Sequence, residues 1–420
     1  MSKQVLLKNA TILDSSSPHH GKKRDILITD GIISSIKASI EKEESYQIIE
    51  AKDLHVSQGW FDSSVSFGEP GFEQRETLAN GLNVAAQSGF THVAVNANSW
   101  PVTDSQGAVQ FIKSKAAAHL VSLYPVGALT TGSQGKDLAE LYDMHQAGAI
   151  SFYDYQKPLQ EVNLLKIALL YAQPFNALVQ SFPLQPDLAK NSQMHEELIS
   201  TTLGLKGFSS MSEEIRIARD LFVLEYTQGK LHIPTITTAG AVNLIREAKK
   251  KGLNISCSVA VHHLVLDHNE LTSFDSDYKV LPPLRATEDV SALIGGLKDG
   301  TIDGVTTDHN PLDIELKKQE FERADFGTIG LESAFGALNN TLGAQVAIQG
   351  LTALKERFGI PEHSIAIDSP ADLTLFETAT PWQFAKEHVG SASFNSCFYG
   401  KPMKGKVLGV IAKEKIHINE

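Results

Sequence analysis

The sequence predicts an α/β chain built on a (β/α)8 barrel of the TIM type, with a small β-sandwich domain formed by both termini. Three observations carry this expectation. Eight short apolar segments rich in β-branched residues alternate with amphipathic stretches through the middle of the chain, which is the order of a parallel α/β barrel. The first 57 residues and the last 60 or so are instead rich in strand and turn signals. No Gly-x-Gly-x-x-Gly follows a first strand, so nothing supports the open dinucleotide-binding sheet as the alternative.

The elements follow in order. Val5-Leu6-Leu7 and Thr11-Ile12-Leu13 read as short strands. Asp25-Ile26-Leu27-Ile28 and Ile32-Ile33-Ser34-Ser35-Ile36 flank Thr29-Asp30-Gly31, a hairpin-type turn. The barrel strands are expected at 64–67, 91–97, 120–129, 149–154, 177–182, 231–237, 254–261 and 304–308. Amphipathic helices are expected at 76–88, 211–227 and 239–251, the last ending on Lys249-Lys250-Lys251, a basic run that suits a helix C-terminus. Ala371–Phe376 and Gly409–Ala412 read as closing strands, with Gly400, Pro402 and Gly405 marking a turn-rich stretch between them. The expected division is a small domain of residues 1–57 plus 360–420 and a barrel of residues 58–359.

The 420 residues are 42% hydrophobic, enough to bury a large core, which argues against disorder. Thirty-seven basic and 49 acidic residues give a formal charge of −12. With no long basic run, nucleic acid and anionic membrane are poor partners. Two cysteines, Cys257 and Cys397, allow no disulfide framework and no zinc knuckle, and fit a reducing compartment. The N-terminal stretch lacks a long apolar region and no apolar run reaches the length of a membrane span. The expected location is cytoplasmic.

Barrel chemistry belongs at the C-terminal ends of the strands. The residues there are Ser64, Ser66, Asn98, Asp154, Ser181, Thr235, His262, His263, Asp308 and His309. A serine nucleophile would need an adjacent base and an orienting third group, and no Gly-x-Ser-x-Gly elbow is present.

A series of motifs in the same order then resembles the amidohydrolase superfamily and, within it, dihydroorotase. They are Gly59-Trp60-Phe61-Asp62, Glu69-Pro70-Gly71, Glu76-Thr77, Gly89-Phe90-Thr91, Asn98-Ser99-Trp100-Pro101, His262-His263-Leu264, Pro282-Pro283-Leu284-Arg285, Asp299-Gly300-Thr301-Ile302-Asp303-Gly304, Thr307-Asp308-His309-Asn310-Pro311 and Gly330-Leu331-Glu332. The resemblance implies an amidohydrolase-type barrel, a zinc cofactor, and reversible hydrolysis of the cyclic amide of dihydroorotate in pyrimidine biosynthesis. It also implies roles for particular positions. Asp308 matches the catalytic aspartate, Asn98 a substrate-carboxylate ligand, and His309 the substrate-binding histidine beside that aspartate.

The departures fall on the chemistry. The family's His-x-His pair is Ser64-Val65-Ser66 here, and the arginine that follows it is Gly68. The histidine at the end of the fifth strand is Ser181, and that of the sixth is Thr235 in His232-Ile233-Pro234-Thr235. The asparagine before Pro-Pro-Leu-Arg is Leu281, and the last histidine of the family's Asp-His-Ala-Pro-His pattern is Leu312. Only Asp154 and Asp308 could still ligate a metal. Catalytic zinc takes three protein ligands, usually with neutral imidazole among them, and serves by lowering the pKa of bound water to about 7. Hydroxyls are weak replacements. The expectation is therefore no metal, a vestigial Asp308 and a catalytically inactive protein serving as a structural or regulatory partner. Aspartate carbamoyltransferase, with which inactive relatives associate, and a homodimer are the partners the resemblance suggests.

Two other readings stay open at this level. One is an active dihydroorotase whose unusual site is drawn from Asp62, Asp154, His263, Asp308 and His309. The other is a sensor that binds a small acid through Asn98 and His309. Several of these residues also have structural readings. Asp154 reads as solvated or arginine-paired, His232 as a hydrogen-bonded core histidine, Arg285 as part of an ion pair, and His262-His263 as shaping the barrel.

Overall fold

The computed structural model describes residues 4–419; residues 1–3 and 420 of the expected small domain lie outside it. All eight expected barrel segments overlap a strand, the first by Ser64 and Val65 alone, since its strand begins four residues earlier. They are β1 (Trp60–Val65), β2 (Phe90–Val95), β3 (Ser122–Gly127), β4 (Ser151–Phe152), β5 (Leu178–Gln180), β6 (Leu231–Ile233), β7 (Ile255–Ala260) and β8 (Gly304–Thr306). Neighbours pair in parallel in sequence order. A bridge between Val65 and His309 closes the ring, where the Ser66 amide donates to the His309 carbonyl at 2.7 Å. Several strands stop earlier than their apolar runs suggest. After β6 the chain leaves the ladder, and Thr235 takes a positive φ of 49°. Apolar patterning reports burial, and at a barrel mouth the buried chain continues as irregular loop.

The helices start where their caps place them. In α1 (Leu78–Gln87) the Thr77 hydroxyl accepts from the Asn80 amide. Helix α2 spans Val162–Ala172, α3 spans Ser210–Thr227 behind Ser209, and α4 spans Ala239–Lys250 behind Thr238. Each hydroxyl cap satisfies an amide that the helix itself leaves unpaired.

Both chain ends build one further eight-stranded sheet. The strand Gln4–Ile12 forks. Its first half pairs with Gln47–Glu50, and its second half with His55–Gln58. The latter strand leads to the C-terminal strands Leu373–Gln383, Pro402–Ala412 and Lys415–Ile418. The expected hairpin is present as Lys23–Thr29 against Ile32–Lys37. The expected turn-rich stretch is not a simple turn. Pro402 and Gly405 lie inside a strand, and Gly405, at φ 78°, sits where the register shifts between Glu377 and Pro381. Glycine supplies the left-handed conformation that this irregularity needs.

The sheet encloses its own apolar cluster, with Leu7, Ile12, Ile26, Val56 and Leu375 fully buried. It is also welded to the barrel. Trp60 of β1 packs edge-on against Phe90 and tilted against Phe335 and Phe376, the last from the C-terminal sheet. Asp372 of the same segment accepts from His92 Nε2 at 2.8 Å and from Lys355 Nζ at 3.1 Å. No helix among the described residues is long and apolar enough to cross a membrane.

Candidate active site

The C-terminal ends of the strands converge on Asp308, two residues beyond β8, which is buried and has a left-handed φ of 47°. Such a conformation is costly for a residue other than glycine and persists only where its surroundings enforce it. Ser64 Oγ donates to Asp308 Oδ1 at 2.9 Å, and the Tyr155 hydroxyl donates to the same oxygen at 3.1 Å. Gln156 Nε2 reaches Oδ2 at 3.3 Å. Asn96 Nδ2 donates to Ser64 Oγ at 3.1 Å and Ser66 Oγ at 3.2 Å, while Asn98 Nδ2 donates to Ser66 Oγ at 3.0 Å. The two serines, Asn98 and Asp308 that the sequence singles out therefore form one network. Asn96, Tyr155 and Gln156 complete it. Their signal was their place in the chain: Asn96 sits two residues before Asn98, and Tyr155-Gln156 directly follows the fourth strand segment.

Burial is the main cause that pushes the Asp308 carboxyl up to about 7; the hydroxyl donors pull the other way, and Asp62 adds to the rise. Burial also lifts the Tyr155 hydroxyl well above its ordinary range, with Asp308 as the next cause. Around neutral pH the centre of the mouth is a weakly charged web of hydroxyl, amide and carboxyl groups.

His309 joins the barrel closure through its backbone, and its ring is fully buried. Its Nδ1 accepts from the Gly330 amide at 3.2 Å, which leaves the proton on Nε2, an atom with no partner among the described residues. Burial holds the ring neutral, lowering its pKa to about 3. Asn98 Oδ1 is unpartnered as well.

The other candidates are engaged elsewhere. Asp154 turns to the loop after β3, accepting from the Leu129 and Thr130 amides at 2.9 and 3.0 Å and from the Thr130 hydroxyl; it is neither solvated nor paired with an arginine. Asp62 accepts from the Ser64 amide, both hydroxyls of Thr306 and Thr307, and the Thr307 amide, tying β1 to β8. Ser181 Oγ donates to Asp220. His263 Nε2 donates to the Pro282 carbonyl at 2.9 Å. His232 lies between Ser256 and Ser258, and Arg285 faces Glu213 at 3.5 Å, both structural placements.

This donor set does not fit a catalytic zinc. The hydroxyls at 64, 66 and 181 are neutral and hydrogen-bonded to carboxyl or amide groups, and Asp154 is saturated by the chain itself. Among the described residues no three His, Cys, Asp or Glu side chains form a group able to hold a metal ion. The position after the serine pair is also closed. A Cβ built on Gly68 would lie 1.9 Å from the Phe72 carbonyl oxygen, in a turn where the Phe72 amide donates to the Gly68 carbonyl at 2.8 Å. No side chain fits there, least of all the long guanidinium that grips a carboxylate in two-point fashion.

The fold and sequence can be set beside known proteins. A dihydro-orotase-like family model matches residues 55–241. The dihydroorotase of Pelotomaculum thermopropionicum is 37% identical over 411 residues, covering 96% of this chain and 95% of that one. The dihydroorotase of Syntrophus aciditrophicus is 34% identical over 430 residues, covering 99% and 100%. Among solved structures, L-hydantoinase from Arthrobacter aurescens superposes with a TM-score of 0.86 at 20% identity, covering 100% of this chain and 98% of that one. At that identity the likeness concerns the fold alone, a parallel α/β barrel joined to a β domain. Relatives above 30% identity along nearly the whole chain establish more, and the chain belongs to the dihydroorotase family of pyrimidine biosynthesis.

Proposed function

We propose that this chain is a non-catalytic member of the dihydroorotase family, a structural or regulatory partner in pyrimidine synthesis, with aspartate carbamoyltransferase as the proposed partner enzyme. One observation carries the reading: Asp308 is held by Ser64, Tyr155 and Gln156 in place of imidazole-bound metal. Amide hydrolysis by the family's route needs water made nucleophilic at neutral pH and a polarised carbonyl. A carboxyl raised to about 7 has the basicity for proton transfer. However, the residues around it offer no cation to acidify its water, and Gly68 offers none to orient an acidic substrate.

The competing reading, an active cyclic-amide hydrolase with an atypical site, draws its support from the names of the full-length relatives. Two measurements on protein purified without added metal separate them: elemental analysis, and turnover of dihydroorotate and carbamoyl aspartate. We expect substoichiometric zinc and no turnover at rates typical of enzymes. Stoichiometric zinc together with turnover would establish the enzyme. Co-purification with aspartate carbamoyltransferase is the expected sign of the partnership, and its failure at micromolar concentrations would remove that partner.

A further inference from the structure

Glu332 ends the motif Gly330-Leu331-Glu332, yet it takes no part in the network around Asp308. Its carboxylate opens onto a cleft of about 560 Å³, where the end of α1, the helix Ala334–Leu342 and the C-terminal strands meet. None of the residues of the Asp308 network lines this cleft. Its volume falls in the range of about 300–1,000 Å³ usual for small-molecule sites. Glu332 is its buried polar group. Oε1 accepts from the Ser391 hydroxyl at 2.6 Å and from the Ser391 amide at 3.1 Å. Oε2 is shielded from solvent and has no partner among the described residues. Such an unmet acceptor is costly in a folded chain. Burial pushes the Glu332 carboxyl up, the direction expected of a charge short of donors, and Glu332 in turn adds to the rise of its neighbour Glu76. The inner part of the cleft therefore lacks a hydrogen-bond donor.

The walls are aromatic. Phe335 is buried and Trp382 half-buried, and both line the cleft. The indole is fixed by its Nε1, which donates to the Gly405 carbonyl at 2.8 Å. A Cβ on Gly336 would lie 3.0 Å from Trp382 Cζ2, so the missing side chain lets the indole lie close to the helix. Val407 and Ile418 add apolar surface. The cations stand outside. Lys406 and His388 line the same cleft but are exposed, and Lys406 makes no ion pair among the described residues. His388 Nδ1 accepts from the Ala385 amide at 3.1 Å, which leaves a proton on Nε2 to donate. The order from inside to outside is a free acceptor, a slot with aromatic walls, and positive charge. Its complement is a flat ring that carries an amino group at one end and an anion at the other. Carboxylates accept from the exocyclic amino groups of bases, and bases stack on aromatic side chains. Uracil fits poorly, because its one imide N–H lies between two carbonyls that repel a carboxylate oxygen. An α-amino acid is too short, because its ammonium and carboxylate share one carbon and cannot serve a buried and an exposed end together. We infer that this cleft binds a nucleoside phosphate whose base carries an exocyclic amino group, the amino group donating to Glu332 and the phosphate resting on Lys406. The inference stands whether or not the barrel mouth is catalytic.

The test is isothermal titration calorimetry of the full-length protein with the monophosphates of cytidine, adenosine and uridine. CMP and AMP are expected to bind with Kd of about 10–100 micromolar, and UMP about 10-fold or more weakly. Glu332→Gln gives the sharper readout. Ser391 donates to one oxygen of this side chain, so the amide NH2 of glutamine takes the place of Oε2 and offers a donor where the parent offers an acceptor. CMP and AMP are then expected to lose about 10-fold, and UMP to bind more tightly than either. A merely structural role for Glu332 would not invert that order. Lys406→Ala, at an exposed position, is expected to weaken CMP by about 5-fold and to leave cytidine, which has no phosphate, unchanged. Circular dichroism and melting temperature check the fold of each variant, and Lys406→Ala decides alone if Glu332→Gln is destabilised. Absence of binding by all three nucleotides at millimolar concentration overturns the inference. So does UMP binding as tightly as CMP, a preference that a folded Glu332→Gln variant leaves as it was, or CMP affinity that Lys406→Ala does not change.

Discussion

Asp308 is the buried carboxyl at the centre of the barrel mouth. Burial raises its carboxyl from 3.8 to about 7, so the folded chain holds that proton more tightly than the unfolded chain does. The associated stability is complete below the unfolded pKa and is lost as pH rises through about 7, by up to about 4 kcal/mol. Asp308→Asn keeps the shape and the acceptor oxygen without the charge. Its melting temperature is expected to gain on the parent between pH 5 and pH 8, in thermal unfolding followed on both proteins; parallel curves would show that the carboxyl is charged throughout. At neighbouring positions the sequence was informative because residue type limits what an atom can donate or accept. Ser64 and Ser66 could be read directly as hydroxyls where the family resemblance implies imidazole. Tyr155 and Asn96 could not, because a tyrosine or asparagine in a loop has many destinations, and only three-dimensional closure brings Asn96 to the two serines and Tyr155 to Asp308. Asp154 shows the converse. Its position left a ligand open and read more readily as a solvated or arginine-paired carboxylate, yet two backbone amides at a turn claim it.

Strands and helices were the most legible level. Each expected barrel segment overlaps a strand, and Thr77, Ser209 and Thr238 fix the helix starts. Strand ends were not legible, since the same apolar run serves both the ladder and the buried loop beyond it. The seam of the barrel rests on Asp62, whose two carboxylate oxygens collect four donors from β1 and the end of β8. Asp62→Ala strands buried amides and hydroxyls, each costing about 1–3 kcal/mol when unsatisfied. We expect a loss of at least about 3 kcal/mol in denaturant unfolding, and Asp62→Asn, which keeps one acceptor, to recover part of it. An alanine variant as stable as the parent would mean that the closing bridge between Val65 and His309 suffices alone.

On the scale of the molecule, barrel and terminal sheet share a core. Phe376, Phe384, Phe398, Met403 and Val410 of the C-terminal segment belong to the same buried cluster as Trp60 and the barrel strands. The parent is therefore expected to melt in a single calorimetric transition. Trp60→Ala, which empties the centre of the aromatic group, should cost about 3–5 kcal/mol and lower that one transition without splitting it; two separate transitions would show that the sheet is an independent unit. Asp372 reinforces the seam. Although burial alone would raise its carboxyl, His92 and then Lys355 hold it below the usual carboxylate range, so this contribution is present near neutrality and disappears as acid protonates the group.

On the proposed non-catalytic reading, the turn at Gly68 bears on any attempt to build the family's site into this chain by mutagenesis. Histidines can be written back at 64, 66, 181 and 235 one codon at a time, but an arginine at 68 collides with the main chain of Phe72 before its guanidinium can reach anything. Placing a guanidinium there therefore means remodelling the whole 68–72 loop, so on that reading a variant with histidine at all four positions would still lack the arginine that the resemblance implies beside them.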